Sequence, residues 1–358
     1  MDHPFVTAPF AVQPRLDTKP WGGTRLVQYG FSRPADAAEP LGEVLVSADQ
    51  SVIAGGPYRG RSLGQLTAQY HDEVAGRRGR GLTGGRATFP LLIKLIDAAQ
   101  NLSIQVHPDD QQARARNSNG KTEAWYILDT AADGQLYLGL TGATVTDFLD
   151  ACAAGDGSSA RLLRRMPAQI GESVVIPAGT VHALSAGVLV YEVQQPSEIT
   201  YRLDDWGRVG DDGRPRDRHL EDGRRAIKPD LRPALMTGAQ WLAGSGRRRL
   251  LAACRYFALE RIGLAGDERI VTTTHGSPQV FTVIFGEATI GDGGEAVRAL
   301  KGTSVVVPAA MPSVTLACAG QTTLLRAWIP DLPGEIIAPA RRAGISDATL
   351  SALGISAP

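Results

Sequence analysis

Neither sign of charge prevails in this sequence: 37 lysines and arginines stand against 37 aspartates and glutamates, for a formal net charge of zero. A nucleic-acid binder ordinarily carries a basic excess or a basic stripe. The one arginine cluster, Arg77, Arg78 and Arg80, sits among glycines and reads as a mobile surface loop. Cysteine is scarce as well. Cys152, Cys254 and Cys318 are far apart, odd in number and outside any CxxC spacing, which argues against a disulfide framework or a cysteine zinc knuckle and fits a reducing compartment. No apolar run approaches the roughly 18–20 residues of a membrane helix. Met1-Asp2-His3-Pro4 does not open a secretory signal, and no glycine-rich nucleotide fingerprint is evident. The expectation is a cytoplasmic protein with no nucleic-acid and no membrane partner.

What is present is turn-rich and strand-rich. Apolar residues make up 43% and charged residues 21%, ordinary globular usage, and 41 glycines with 22 prolines favour strands and turns over a helical bundle. At roughly 100–200 residues per domain, 358 residues imply two or three units. Short apolar segments bounded by turns recur at Leu91–Leu95, Ser103–Val106, Ala124–Leu128, Gln135–Leu140, Ser173–Ile176, Val188–Val193 and Ile199–Leu203. A second set follows the polar stretch Asp204–Pro233: Tyr256–Ile262, Glu268–Thr273, Val280–Phe285, Ser304–Val307 and Thr322–Trp328. Helical spacing marks Leu63, Leu66 and Tyr70 behind Ser62, and Val145, Phe148 and Leu149 behind Thr144. A short helix carrying Leu162, Leu163 and Met166 is expected after Gly155-Asp156-Gly157, and another after Ser346.

The halves echo one another. Gly171-Glu-Ser-Val-Val-Ile-Pro177-Ala-Gly-Thr-Val-His182 aligns with Gly302-Thr-Ser-Val-Val-Val-Pro308-Ala-Ala-Met-Pro-Ser313, as a duplicated barrel would. The first copy has the pattern G-x5-P-x-G-x2-H, similar to the second motif of the cupin superfamily: a strand, a tight turn and a histidine aimed back inside. Gln105 and His107 are two apart and so share a strand face with Ser103; Lys121 and Glu123 share another. Two histidines, a carboxylate and an amide carbonyl suit a divalent ion of the zinc class. In the second copy Ser313 replaces the histidine, Ala310 replaces the turn glycine, and His275 lies outside the corresponding position, so no metal is expected there.

Longer motifs carry a closer resemblance. Phe89-Pro90-Leu-Leu-Ile-Lys94-Leu-Ile-Asp97, Leu102-Ser-Ile-Gln-Val-His-Pro-Asp-Asp110, Lys121-Thr-Glu-Ala-Trp125-Tyr126, Ile176-Pro-Ala-Gly-Thr-Val-His182-Ala and Tyr191-Glu192-Val-Gln-Gln195 through Thr200-Tyr-Arg202 resemble type I phosphomannose isomerase in its shorter bacterial form. Lys19-Pro-Trp21-Gly-Gly23 and Gly42-Glu43 to Ser47 are weaker echoes, and Val44 and Leu45 depart from the family's Gly-Glu-x-Trp-Glu-x-Ser. The resemblance covers about two thirds of the chain and fades beyond Trp241.

That resemblance implies two cupin (jelly-roll) barrels, mainly β, with a small helical insert in the first. Residues 1–235 would form the catalytic unit (insert about 141–170), 236–330 a degenerate cupin unit and 331–358 a tail. It implies one zinc per chain held by Gln105, His107, Glu123 and His182, and Arg202 as the catalytic-site arginine. Lys121 and Glu192 would move protons or bind sugar, and Ser103 and Lys94 would sit at the phosphate end. The implied reaction interconverts mannose 6-phosphate and fructose 6-phosphate through an enediol. The partner is then a small sugar phosphate, and the chain a monomer or weak homodimer. Two alternatives are a cupin metal oxygenase and a sugar-binding cupin that does not catalyse.

Overall fold

The computed structural model describes residues 5–209, 213–240 and 247–355. Strands of the first half are β1 (Phe10–Gln13), β2 (Arg15–Gly23), β3 (Leu41–Ser47), β4 (Val52–Ile53), β5 (Leu92–Ala98), β6 (Ile104–Val106), β7 (Glu123–Thr130), β8 (Gln135–Leu140), β9 (Leu163–Pro167), β10 (Ser173–Ile176), β11 (His182–Leu184), β12 (Val188–Gln194) and β13 (Tyr201–Asp204). The second half contributes β14 (Arg248–Ala253), β15 (Ala258–Leu264), β16 (Arg269–Thr273), β17 (Gln279–Phe285), β18 (Glu287–Ile290), β19 (Val297–Leu300), β20 (Ser304–Val307), β21 (Ser313–Ala317) and β22 (Thr322–Trp328). The helices are short: α1 (Leu63–Gln69), α2 (His71–Val74), α3 (Gly76–Leu82), α4 (Asp110–Ala113), α5 (Val145–Ala154), α6 (Leu220–Ala226), α7 (Ala338–Arg342) and α8 (Asp347–Ala352). None is long and apolar enough to cross a membrane.

The protein is mainly β, as its turns imply. A six-stranded sheet, β10-β7-β12-β5-β2-β3, faces a five-stranded sheet, β13-β6-β11-β8-β9. In the second half a seven-stranded sheet, β14-β15-β22-β17-β20-β1-β4, accompanies a four-stranded one, β16-β21-β18-β19. Each pair is hydrogen-bonded as two separate sheets rather than as one closed barrel. The polypeptide also crosses between the pairs: Phe10 of β1 lies opposite Val306 of β20, so residues 10–13 extend the second half's sheet.

The period-2 alternation of strands assigns the six-stranded sheet two different faces. On β7 and β12, Ala124, Tyr126, Leu128, Leu189, Tyr191 and Val193 turn to a large core shared with Phe257, Leu259, Val280 and Leu325 of the second half. Trp125, Ile127, Val188 and Val190 turn the other way, onto Leu136, Leu138 and Leu184 of the five-stranded sheet. Because both faces are covered, β12 is buried along its whole length and lacks the polar-out alternation of a surface strand. Burying a side chain such as Tyr191 or Trp125 contributes about 2–3 kcal/mol. The outer face of the five-stranded sheet is sealed by α5 and α6, through Phe148, Leu149, Cys152 and Ala226 against Ile104, Val106 and Leu203.

Two local expectations are corrected. Leu163 and Met166 lie in β9, paired with Leu140 and Leu136 of β8, and only a single 3-10 turn, Ser158–Leu162, precedes them. Apolar residues three apart fit one helical turn and a twisted edge strand alike, and the pairing with β8 decides. Arg77, Arg78 and Arg80 lie in α3, not in a mobile loop, and Arg78 pairs with Glu335 at 2.5 Å. Gly79 is helical because of what it touches: a Cβ there would come within 2.9 Å of the Pro90 ring. The helices behind Ser62, Thr144 and Ser346 form, each with the capping hydroxyl accepting a backbone N–H three residues on.

Candidate metal centre and active site

The space between the two sheets of the first half is where the polar residues of β6, β7, β11 and β12 converge. Strand register brings them together: His182 of β11 lies opposite Gln105 of β6, and Gln105 opposite Arg202 of β13. On the facing sheet, Gln194 of β12 lies opposite Glu123 of β7, and Glu192 opposite both Trp125 and Lys94 of β5. The turn before His182 depends on Gly179, at φ 95°, whose N–H donates to the His107 carbonyl at 2.9 Å. A Cβ at Gly179 would be strained and would meet the Ala226 carbonyl at 3.0 Å.

His107, Glu123 and His182 are buried, and one ligand atom from each lies within 4.8 Å of the others. His182 Nε2 is 3.1 Å from Glu123 Oε1, and His107 Nε2 is 3.4 Å from Glu123 Oε2. Neither contact is a hydrogen bond, since both Glu123 oxygens lack a hydrogen-bond partner. Each imidazole donates its Nδ1 proton to a backbone carbonyl, His107 to Ile199 and His182 to Thr180, both at 2.9 Å. That fixes the tautomer and leaves each Nε2 as a lone pair aimed inward. Burial, followed by the nearby Lys121 charge, pushes the His107 imidazole down to about 3, so it is neutral at ordinary pH. Burial alone would raise the Glu123 carboxyl; Lys121 and the two imidazoles beside it together outweigh that and hold it well below the usual carboxylate range.

Acceptors therefore face acceptors. His107 Nε2 and both Glu123 oxygens are buried with no hydrogen-bond partner, an arrangement costing roughly 1–3 kcal/mol per atom if nothing satisfies them. A cation does. Nitrogen and oxygen ligands about 2.0–2.2 Å from a tetrahedral zinc would stand ~3.4 Å apart, close to the 3.1 and 3.4 Å that separate Glu123 from the two imidazoles. The Gln105 amide completes the set, its Nε2 3.3 Å from His182 Nε2; turned over, it presents Oε1 as a fourth neutral ligand. Two imidazoles, a carboxylate and an amide carbonyl thus fit a divalent ion of zinc's size and borderline softness.

Polar groups surround this centre. Lys121 Nζ is 3.2 Å from Glu123 Oε2, and the lysine is buried. Glu192 accepts from Trp125 Nε1 at 2.8 Å, and burial, followed by the Glu123 charge, pushes its carboxyl up. The Arg202 Nη1 donates to the Asp217 carbonyl at 3.0 Å, while its Nε is buried with no partner. Ser103 immediately precedes β6 and is half-buried. Lys94 is 3.3 Å from Glu43, and although burial alone would lower its ammonium, Glu43 and Glu192 hold it above the ordinary value.

Several supporting groups escaped the sequence. The Ile199 and Thr180 carbonyls that set the histidine tautomers carry no side-chain signature. Trp125 has one, a buried indole N–H that needs an acceptor, yet its choice of Glu192 depends on β7–β12 register. Glu43 belongs to the motif that departs from the family pattern, and its ion pair with Lys94 is visible only once β3 and β5 are paired.

In the second half the corresponding interior is filled differently. Glu260 pairs with Arg248 at 2.7 Å and with Arg326 at 3.3 Å, and Arg326 also bonds Gln279 and, at 3.1 Å, the Thr273 carbonyl. Ser313 opens β21 where His182 opens β11. Among the described residues, the clustered metal-ligating side chains are those of the first half.

Comparison with known proteins finds matches in two separate stretches of the chain. Residues 10–153 match the family model for the type I phosphomannose isomerase catalytic domain, and residues 248–327 that for the mannose-6-phosphate isomerase cupin domain. Mannose-6-phosphate isomerase ManA of Bacillus subtilis is 34% identical over 269 residues, 74% of this chain and 82% of the relative. The mannose-6-phosphate isomerase of Streptococcus mutans is 30% identical over 305 residues, 84% of this chain and 92% of that one. A crystal structure of the Bacillus subtilis mannose 6-phosphate isomerase superposes with a TM-score of 0.76 at 30% identity, covering 89% of this chain and 99% of its own. A zinc-bound holo mannose 6-phosphate isomerase shares the fold at 18% identity, with a TM-score of 0.70 over 90% of this chain and 99% of its own. With relatives this similar over nearly their whole length, and with the metal-ligating triad assembled, the chain belongs to the type I phosphomannose isomerase family of enzymes.

Proposed function

We propose that this protein is a zinc-dependent isomerase of mannose 6-phosphate and fructose 6-phosphate, working through an enediol. The observation that carries the reading is the meeting of acceptor-only ligands, His107, Glu123 and His182, with Gln105 beside them and Arg202 in register on the next strand. In this reading residues 1–235 are the catalytic unit, an open form of the cupin barrel. Residues 236–330 support it through the shared core, and 331–358 form the tail. The substrate is the one small-molecule partner the site calls for, and the chain is a monomer or weak homodimer in the cytoplasm.

Gln105, His107, Glu123 and His182 would hold the zinc, which when bound supplies a Lewis acid for the sugar oxygen that gains charge. The protein's own groups do the rest. A proton must leave carbon 2 and one must arrive at carbon 1, while a hydroxyl proton passes from oxygen 2 to oxygen 1. Glu192 is suited to such exchange because its raised carboxyl brings proton uptake closer to neutrality. Lys121, paired to Glu123 and buried, is the second candidate and can donate to a sugar hydroxyl. The Arg202 guanidinium, tethered at Nη1 with Nε unpartnered, offers a fixed donor to the phosphate. Ser103 adds a hydroxyl at that end. Lys94 would be a second cation there, shared with Glu43. Holding the phosphate away from the reacting carbons orients them.

Two histidines and a carboxylate would also serve a non-haem iron oxygenase; family membership and the adjoining arginine favour the isomerase. A sugar-binding cupin would need no group to carry protons, whereas Glu192 and Lys121 are both buried at the centre. The test compares mannose 6-phosphate with mannose on purified, metal-replete protein. Ketose formation from the phosphate ester, at least about 100-fold more efficient than from the free sugar, is expected for a charged pair of phosphate contacts. Equal efficiency would remove the phosphate assignment.

A further inference from the structure

Between the two halves lies a cavity of about 600 Å3, on the opposite face of β7 from the metal centre. Its wall includes Arg247, Arg248 and Arg249, Arg261 of β15 and Tyr126 of β7, with Phe285 also lining it; no carboxylate lines it among the described residues. Arg248 is neutralised by Glu260 at 2.7 Å. The others are not. Arg249 donates to the Thr237 carbonyl at 3.0 Å and Arg261 to the Thr323 hydroxyl at 3.4 Å, both neutral acceptors. Arg247 is exposed. Moreover, Arg249 and Arg261 are direct cross-strand partners in the β14–β15 ladder, where like charges repel.

In a chain whose charges balance overall, unneutralised guanidiniums collected around one cavity call for an anion. Guanidinium forks match phosphate oxygens in pairs. The volume is that of a small-molecule site, and Phe285, 55% exposed, offers a flat apolar surface beside the charge. We propose that this cavity binds a small phosphorylated anion with a planar end, of the nucleoside diphosphate class. Its phosphates would lie on Arg247, Arg249 and Arg261, and its ring would lie on Phe285. The site is separate from the metal centre and makes no demand on its chemistry.

Calorimetric titration of the metal-loaded protein with adenosine, AMP and ADP tests this. ADP should bind more tightly than AMP, and adenosine should give no measurable heat. Arg249→Ala with Arg261→Ala should weaken ADP by about tenfold or more, with kcat/KM for the isomerisation unchanged and thermal stability equal or higher, since the cross-strand repulsion is gone. Arg247→Ala, at an exposed residue, should weaken ADP without touching the fold, and Phe285→Ala should weaken it severalfold. Arg202→Ala should leave ADP binding as it was. Absence of ADP binding at millimolar concentration would overturn the proposal. So would equal affinity of the arginine variants and the parent, or loss of ADP binding in Arg202→Ala, which would place ADP in the active site.

Discussion

Removing the metal should destabilise this protein by an amount that the site itself sets. His107 Nε2 and the two Glu123 oxygens are buried and have no hydrogen-bond partner; Lys121 Nζ, 3.2 Å from Oε2, lends its charge as an ion pair without the alignment of a hydrogen bond. At roughly 1–3 kcal/mol for each unsatisfied buried atom, three such atoms amount to ~3–9 kcal/mol. Zinc supplied at about 1,000 times its dissociation constant stabilises the native state by ~4 kcal/mol through mass action, within that range. For units of this size about 1 kcal/mol moves the melting temperature by 2–4 °C, so chelation should lower it by roughly 8–16 °C. Differential scanning calorimetry in excess chelator and again after zinc is restored gives the comparison. His182→Ala, which lacks a ligand, should show little further loss on chelation. A protein stripped of metal, verified by elemental analysis, that melts within 2 °C of the loaded form would refute the acceptor-cage argument.

Three further outcomes follow from the same geometry. Arg202→Ala should keep zinc bound while kcat/KM falls by about 10²–10³-fold, the loss of a charged hydrogen bond to phosphate; a metal-free variant would mean that Arg202 helps to build the centre instead. Lys121→Ala and Glu192→Gln should differ in exchange of solvent deuterium at carbon 2 of the substrate, and normal exchange in both would exclude either as the sole proton carrier. Asp205 accepts from Arg208 and Arg216 at 2.5–2.6 Å, and although burial alone would raise its carboxyl, those bonds hold it below the ordinary value. Its folded form thus binds protons less readily than the unfolded chain, so its contribution is full above about pH 4 and is lost as pH falls further. Asp205→Asn should flatten that acid limb in a pH series of melting temperatures, and an unchanged limb would show that Asp205 does not contribute to it.

How far the sequence foretold this structure varied with how local the cause was. Gln135–Leu140, Ser173–Ile176, Ser304–Val307 and Thr322–Trp328 are strands with the bounds expected, because short apolar runs between turn residues decide them locally. The side-chain period of two also placed Gln105 beside His107 and Lys121 beside Glu123. What escaped depended on partners distant in the chain. Residues 10–13 are a strand because β20 is there to pair with, and no pattern within four residues announces that. The glycine-rich segment at 76–82 becomes a helix because its small residues fit against Pro90 and Arg78 finds Glu335. The candidate metal ligands were legible as residue types at spacings, whereas the histidine tautomers came from the Ile199 and Thr180 carbonyls, which only the folded backbone supplies. The repeat held in its frame: Gly171 and Gly302 both stand at φ 89°, but Gly179 at φ 95° has only Ala310 as its counterpart.

The most direct test of the account is a zinc titration of chelated, metal-free protein, with bound metal and mannose 6-phosphate isomerisation followed together. Occupancy and activity should rise in parallel and reach a plateau at one zinc per chain, and Glu123→Ala should show neither. Full activity before any metal is bound would contradict the account, as would a second tightly held zinc required for activity and traced to residues beyond 247.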